Sequence, residues 1–186
     1  MKSTLKLHVG GETPKVGWKI LNVIAGPNVD FVGNCTDLSQ FADNSVAEIY
    51  ISHVLEHLDY RDGARKTLAE FHRVLEPGGV LRISVPDLEV LCHLLLAPFS
   101  SFEAKYFVMQ MIYGGQSHEH DFHRSGYTFQ FLGGYLKHAQ FTQIRRVKEF
   151  GLFQDTSNVV YNGVPISLNV EASKPAGVSP LAASTG

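Results

Sequence analysis

Residues 48–86, EIYISHVLEHLDYRDGARKTLAEFHRVLEPGGVLRISVP, constrain the fold more than any other stretch, because two apolar runs of strand length flank one amphipathic helix pattern. Glu48 to Val54 carries Ile49, Tyr50 and Ile51 in succession, as a strand buried on both faces of a parallel sheet does. Val80, Leu81, Ile83 and Val85 repeat that signature. Between them Ala64, Leu68, Phe71 and Leu75 form one helical stripe, opposite Arg61, Arg65, Lys66 and Glu70. Pro77-Gly78-Gly79 is the expected helix stop. Strand, crossover helix and strand make a right-handed βαβ unit, so the core is α/β.

Two motifs punctuate this unit: Val54-Leu55-Glu56-His57 where the first strand ends, and Arg73-Val74-Leu75-Glu76-Pro77-Gly78-Gly79 after the helix. Upstream stand Asp37-Leu38 and Phe41-Ala42-Asp43-Asn44-Ser45. In order and spacing these segments resemble the class I S-adenosylmethionine-dependent methyltransferase domain, in the small form typified by methyltransferase type 11. The resemblance implies a Rossmann-like, mostly parallel sheet with an antiparallel C-terminal strand. It also implies S-adenosylmethionine as cofactor and methyl transfer to an acceptor that the sequence leaves unidentified, a small molecule or a surface-attached group.

Leu5, Leu7 and Val9 form a first strand ending at Gly10-Gly11, where the family passes a glycine loop under its cofactor. The next strand, Lys19 to Val23, follows after only nine residues, Gly10 to Trp18. A parallel crossover needs a dozen or more, so the first crossover helix is expected to be missing or reduced to a turn, with Trp18 placed to cover exposed apolar surface. The acid that in this family ends the second strand and accepts from the ribose falls here on Asn22 or Ile24. Asn22 accepts more weakly than a carboxylate. By resemblance, the loop after the third strand, Asp30 to Gly33, brings Asn34 and Cys35 to the adenine; a plain turn is the alternative. Ser52 and His53 end the fourth strand, where open α/β sheets bind ligands.

His53, Glu56 and His57 share a helical face and match H-x-x-E-H, a zinc-hydrolase pattern. The methyltransferase reading explains the same residues in their context, so zinc hydrolysis is the remote alternative and no metal is assigned. Asp87 reads as a helix N-cap, with a substrate contact left open. Residues 97–127 read as an inserted lid or substrate segment, containing a Phe102–Tyr113 helix and the polar run Gln116 to Arg124. Whether its histidines hold a metal stays open. The cofactor set is therefore Gly10, Gly11, Asn22, Asn34, Cys35, Ser52 and His53; the catalytic candidates are His53 and His123; the substrate candidates are His57, Asp87, Gln116, His120 and Arg124.

Thr128 caps a helix running to His138, in which Gly133-Gly134 predicts close packing or a break. Gln143 to Phe150 and Ile166 to Ala172 are the last two strands, the second read from its alternation as an antiparallel edge strand, with a long loop at 158–165. One domain is expected over 1–174 and a disordered tail over 175–186.

Charged residues are 18% of the chain and the net charge is −2, which offers no broad basic field for nucleic acid or anionic membranes. Two unpaired cysteines and no long apolar run point to a cytoplasmic protein. A sheet face bared by a missing helix suggests a homodimer. A non-catalytic binding or partner module, which kept the fold after losing the helix and the ribose acid, is the competing class.

Overall fold

The computed structural model describes residues 3–98 and 100–177 of the 186. Nine strands and four helices follow in order: β1 Lys6–Val9, β2 Lys19–Asn22, β3 Phe31–Val32, β4 Val46–Ser52, α1 Gly63–Val74, β5 Leu75–Pro86, α2 Leu88–Leu96, α3 Phe102–Tyr113, α4 Phe129–His138, β6 Thr142–Val147, β7 Val160–Tyr161, β8 Val164–Pro165 and β9 Ser167–Ser173. The main sheet has the order β3-β2-β1-β4-β5-β9-β6. Its first five strands are parallel, and β9 runs antiparallel to both β5 and β6. This is the expected α/β sheet. No described helix is long and apolar enough to cross a membrane.

The period-two alternation of strands sorts the two faces of the sheet. Leu7, Val9, Ile49 and Ile51 point into the main core with Ala64, Leu68 and Phe71 of α1 and Leu132 and Leu136 of α4. His8 and Tyr50 point the other way. The connector 10–18 contains turns and no helix, and the ground such a helix would cover is filled by Trp18, Tyr50 and Phe153, with Phe150 and Leu152 beside them. Phe153 lies 4.0 Å from the His8 ring and 4.8 Å from Tyr50, centroid to centroid. Trp18 thus covers apolar surface as its position suggested. The gap is closed from within the chain by these aromatic rings.

Several local expectations need correction. β9 is not an edge strand: it lies between β5 and β6 and is buried on both faces. Its polar alternation misled because Ser167 and Asn169 are buried with partners, the hydroxyl donating to Thr156 O at 2.8 Å and the amide to Lys148 O and Ser157 O at 3.0 Å. α1 ends at Val74, before the proline and glycines, and Leu75 already pairs with Val46. The Lys174 ammonium satisfies groups at the helix end, donating to Leu75 O at 2.8 Å, Arg73 O at 3.4 Å and Asn44 Oδ1 at 2.7 Å, while Pro77 has no N–H to offer Arg73 O. Gly78, at φ +83°, instead carries β5 through the irregularity opposite Val46 to Glu48. The loop foreseen at 158–165 is the hairpin β7–β8, turned by Asn162 and Gly163 at φ +47° and +80°.

Arg73 accounts for the spacing between the DL…F.DNS segment and the RVLEPGG motif. Its guanidinium pairs with Glu70 and Asp43 at 2.7 Å and donates to Phe41 O and Leu38 O at 3.0 and 2.9 Å. Glu70 in turn accepts from Leu38 N at 2.7 Å. α1 thereby holds the whole 38–43 turn.

α2 and α3 pack through Leu91 and Val108 with Ile166 of the closing segment, and the Phe107 ring stacks on Tyr161 at 4.4 Å. Residues 178–186, most of the expected tail, lie outside the described residues. Gly133 and Gly134 mark neither close packing nor a break: α4 runs through both, and a Cβ at either would meet nothing within 4 Å. Their cost is then purely conformational. Gly134→Ala is expected to raise stability by about 1 kcal/mol in urea unfolding.

Candidate functional site

The carboxyl ends of β1, β2 and β4 open onto a cleft of about 510 Å³, within the range of about 300–1,000 Å³ that suits a small-molecule ligand. Its walls include Val9, Gly10, Leu21, Asn22, Asn34, Cys35, His53, Val54, His57 and Leu58, and its rim His118 to Asp121 and Arg124. A smaller cavity of about 230 Å³ adjoins it beneath the aromatic cover, lined by His8, Gly11, Thr13, Ser52 and Phe153. The two share Gly10 and Glu12. The predicted cofactor residues thus fall on one continuous surface: Gly10, Asn22, Asn34, Cys35 and His53 on the large cleft, Gly11 and Ser52 on the small one.

Local chemistry explains how each is held. Gly10 sits at φ +74°, donates to Leu21 O at 2.8 Å, and would place a Cβ only 2.2 Å from Val54 Cγ2. Only glycine fits there. Gly11 lies against the His8 ring, 2.3 Å from where its own Cβ would be. Asn22 donates through Nδ2 to Gly11 O at 3.2 Å and accepts from Ile24 N at 3.0 Å, so the amide ties the first two strand ends together. Asn34 closes a local turn, its Oδ1 accepting from Thr36 N at 3.0 Å. Cys35 is buried, and burial pushes its thiol pKa up, so it meets the cleft as an apolar group.

Directly after β4 comes His53, a non-glycine residue at φ +52°, a conformation that costs of order 1 kcal/mol and persists only when its surroundings enforce it. Here the His53 N–H donates to Ser84 O at 2.9 Å, and Nε2 lies 3.0 Å from Ser167 Oγ. Its Nδ1 is 3.3 Å from Glu56 Oε1. Glu56, in the 3₁₀ turn Leu55–His57, is 1% exposed, and neither carboxylate oxygen has an aligned hydrogen-bond donor. The Glu56 carbonyl accepts from Arg124 N and Ser125 N at 2.8 and 3.1 Å, strapping the 114–127 segment onto this turn. His123 is brought close in consequence: its Nδ1 is 3.0 Å from Met111 O and its Nε2 4.0 Å from Glu56 Oε1. Burial outweighs that carboxylate and holds the His123 pKa below the ordinary histidine value.

Of the predicted substrate residues, His57, His120 and Arg124 line the cleft. Gln116 and Asp87 do not. Asp87 is 1% exposed, caps α2 by accepting from Glu89 N and Val90 N at 3.2 and 3.3 Å, and pairs with Arg146 at 2.5 Å. Sequence reasoning passed over Glu12, a carboxylate that lines the cleft, and named Glu119 and Asp121, which also line it, only as part of the polar run. Glu12 follows directly on the glycine turn, which was the available signal.

Residues 19–83 match a family model described as a methyltransferase domain. The chain superposes on the 1,6-didemethyltoxoflavin-N1-methyltransferase of Burkholderia thailandensis, solved with 1,6-didemethyltoxoflavin and S-adenosylhomocysteine bound, with a TM-score of 0.57 at 17% identity over 94% of this chain and 72% of that one. For a SAM-dependent methyltransferase from Archaeoglobus fulgidus the values are 0.56 and 14%, over 92% and 86%. For the CurJ carbon methyltransferase they are 0.58 and 12%, over 94% of this chain and 49% of that one, so this chain spans about half its length. No curated protein matches the sequence. Residues 19–83 thus resemble a methyltransferase domain, and the described chain has the class I methyltransferase fold.

Two expectations test this account of the site. Asp87→Ala should lower stability by about 1–2 kcal/mol in urea unfolding through the lost cap. Burial lowers the His8 pKa from 6.5 to about 4, against a smaller opposing pull from Asp155. The native state prefers the neutral ring, so the unfolded chain takes the proton first as pH falls. This contribution is complete above pH 6.5 and lost between 6.5 and about 4, amounting to about 3 kcal/mol. Urea unfolding across that window should show the slope in the natural protein and a flatter one in His8→Gln.

Proposed function

We propose that this chain is an S-adenosylmethionine-dependent methyltransferase acting on a small-molecule or surface-attached acceptor that enters from the 118–124 rim of the cleft. The observation that carries the reading is the joined pair of cavities at the carboxyl ends of the parallel strands. Two buried polar atoms with no protein partner, His8 Nδ1 and Ser52 Oγ, belong to residues lining the smaller cavity. The polar residues lining this cavity therefore keep hydrogen-bonding capacity that the protein itself does not use, which supports a polar ligand such as the cofactor there.

When bound, the cofactor supplies a methyl made electrophilic by its sulfonium. In this reading Asn34, Cys35, Leu21 and Leu58 border the adenosine end, and Gly10, Gly11 and Ser52 the methionine end. The Glu12 carboxylate, rather than the neutral Asn22, accepts from the ribose hydroxyls. His57, His120 and Arg124 face the acceptor. His53 has its ring nitrogens against Ser167 and Glu56, and His123 against Met111 and Glu56. Both are therefore proposed to shape the turn under the reacting methyl. Alignment of an acceptor that is already nucleophilic then supplies the catalysis.

The second reading, a non-catalytic module with this fold, is favoured by the helix-free connector and by Asn22. Calorimetric titration with S-adenosylmethionine and S-adenosylhomocysteine separates the two. Micromolar binding, weakened about tenfold by Glu12→Gln through loss of a charge-assisted hydrogen bond, is the expected result. Absence of binding by both ligands would move the assignment to the module.

A further inference from the structure

Methyl transfer leaves unexplained a cluster that the 3₁₀ turn and the strap build together. One donor atom each from Glu56, His57 and His123 lies within 4.8 Å of the others. The Glu56 carboxylate is buried, and both its oxygens lack an aligned donor. Among the described residues, its ion-pair neighbours within 4.0 Å are the histidines His53 and His123. A buried carboxylate without hydrogen bonds or a cation is costly by several kcal/mol, so a buried oxygen pair in this state calls for a positive partner.

The two imidazoles are arranged as ligands usually are. His123 Nδ1 faces Met111 O at 3.0 Å, and His57 Nδ1 faces Phe122 O at 3.3 Å. Donation of Nδ1–H to a backbone carbonyl leaves Nε2 with its lone pair, and metal-bound histidines almost always have their other N–H held in this way. His123 Nε2 is 4.0 Å from Glu56 Oε1. Donors about 2.0–2.1 Å from a tetrahedral cation stand roughly 3.3 Å apart, so side-chain rotations of less than about an ångström bring this pair to coordinating distance.

The geometry points to a divalent transition-metal site formed by Glu56, His57 and His123. Two imidazoles and one carboxylate suit zinc and its neighbours rather than magnesium or calcium, which prefer all-oxygen shells. Three protein ligands leave a position open, and His57 also lines the cleft, so the site borders the space assigned above to the acceptor. This differs from the H-x-x-E-H pattern in the sequence: His123, 66 residues beyond His57, takes the place of His53.

The test is calorimetric titration of chelator-stripped protein with zinc, and with cobalt in parallel for its visible ligand-field bands. No cofactor is present, so the outcome is independent of the methyltransferase reading. One equivalent of metal should bind. His57→Gln and His123→Gln should each weaken binding at least about 10-fold, since losing a ligand exceeds the 10- to 100-fold cost of losing a ligand's supporting partner. His118→Gln/His120→Gln, in the exposed loop, should bind as the natural protein does. Circular dichroism checks that each variant folds; half-exposed His57 serves should the His123 variant fail. No saturable binding, binding untouched by His57→Gln, or binding lost only with His118→Gln/His120→Gln would each overturn the site.

Discussion

The burial of the Glu56 side chain governs the functional half of this molecule. Its backbone carbonyl anchors the strap at Arg124 and Ser125, while its carboxylate sits among His53, His57 and His123. The turn is fixed from both sides, by the left-handed His53 before it and by the Leu58 N–H, which donates to Leu55 O after it. A residue at positive φ and a buried carboxylate without an aligned hydrogen-bond donor each disfavour folding. They survive together because the sheet beneath is rigid: Ile49, Tyr50 and Ile51 are wholly buried and β4 is hydrogen-bonded to strands on both sides. Local rules are thus broken at one strand end, against a core that does not yield.

The sequence made the main sheet legible where periodicity and a strand-helix-strand rhythm coincide. The βαβ unit, the short β1–β2 connector, the Asp87 and Thr128 caps and the antiparallel β9 all follow from local rules. What local rules missed depends on contacts distant in sequence. The carbonyls at the end of α1 are satisfied by Lys174, a hundred residues away. The interior placement of β9 rests on Ser167 and Asn169 finding partners in the 148–157 segment, which no alternation count reveals. The β7–β8 hairpin was readable from Asn162-Gly163; that signal was present and overlooked.

The site divides along the same line. Glycines and strand ends placed Gly10, Asn22, Asn34, Cys35 and His53 on the cleft, because strand ends are where open α/β sheets bind. The loop residues divided, with His57, His120 and Arg124 on the cleft and Gln116 off it, since no local rule fixes how a strap crosses a surface. Pairing His123 with Glu56 requires knowing that the strap hydrogen-bonds to the turn, a tertiary fact. The pattern H-x-x-E-H drew attention to Glu56, which the fold surrounds with His53 and, from the strap, His123.

The two departures noted in the sequence, a short first connector and a neutral residue at position 22, are physically one change. Without a helix after β1, the chain turns at once across the end of β2, and something must hold it there. Asn22 does so by donating Nδ2–H to Gly11 O while Asn28 donates to Glu12 O at 3.1 Å. An ionised carboxylate at position 22 has no proton to donate and would repel the Gly11 carbonyl. The amide is therefore required by the shortened connector. The same turn places the Glu12 carboxylate on the cleft and on the small cavity together.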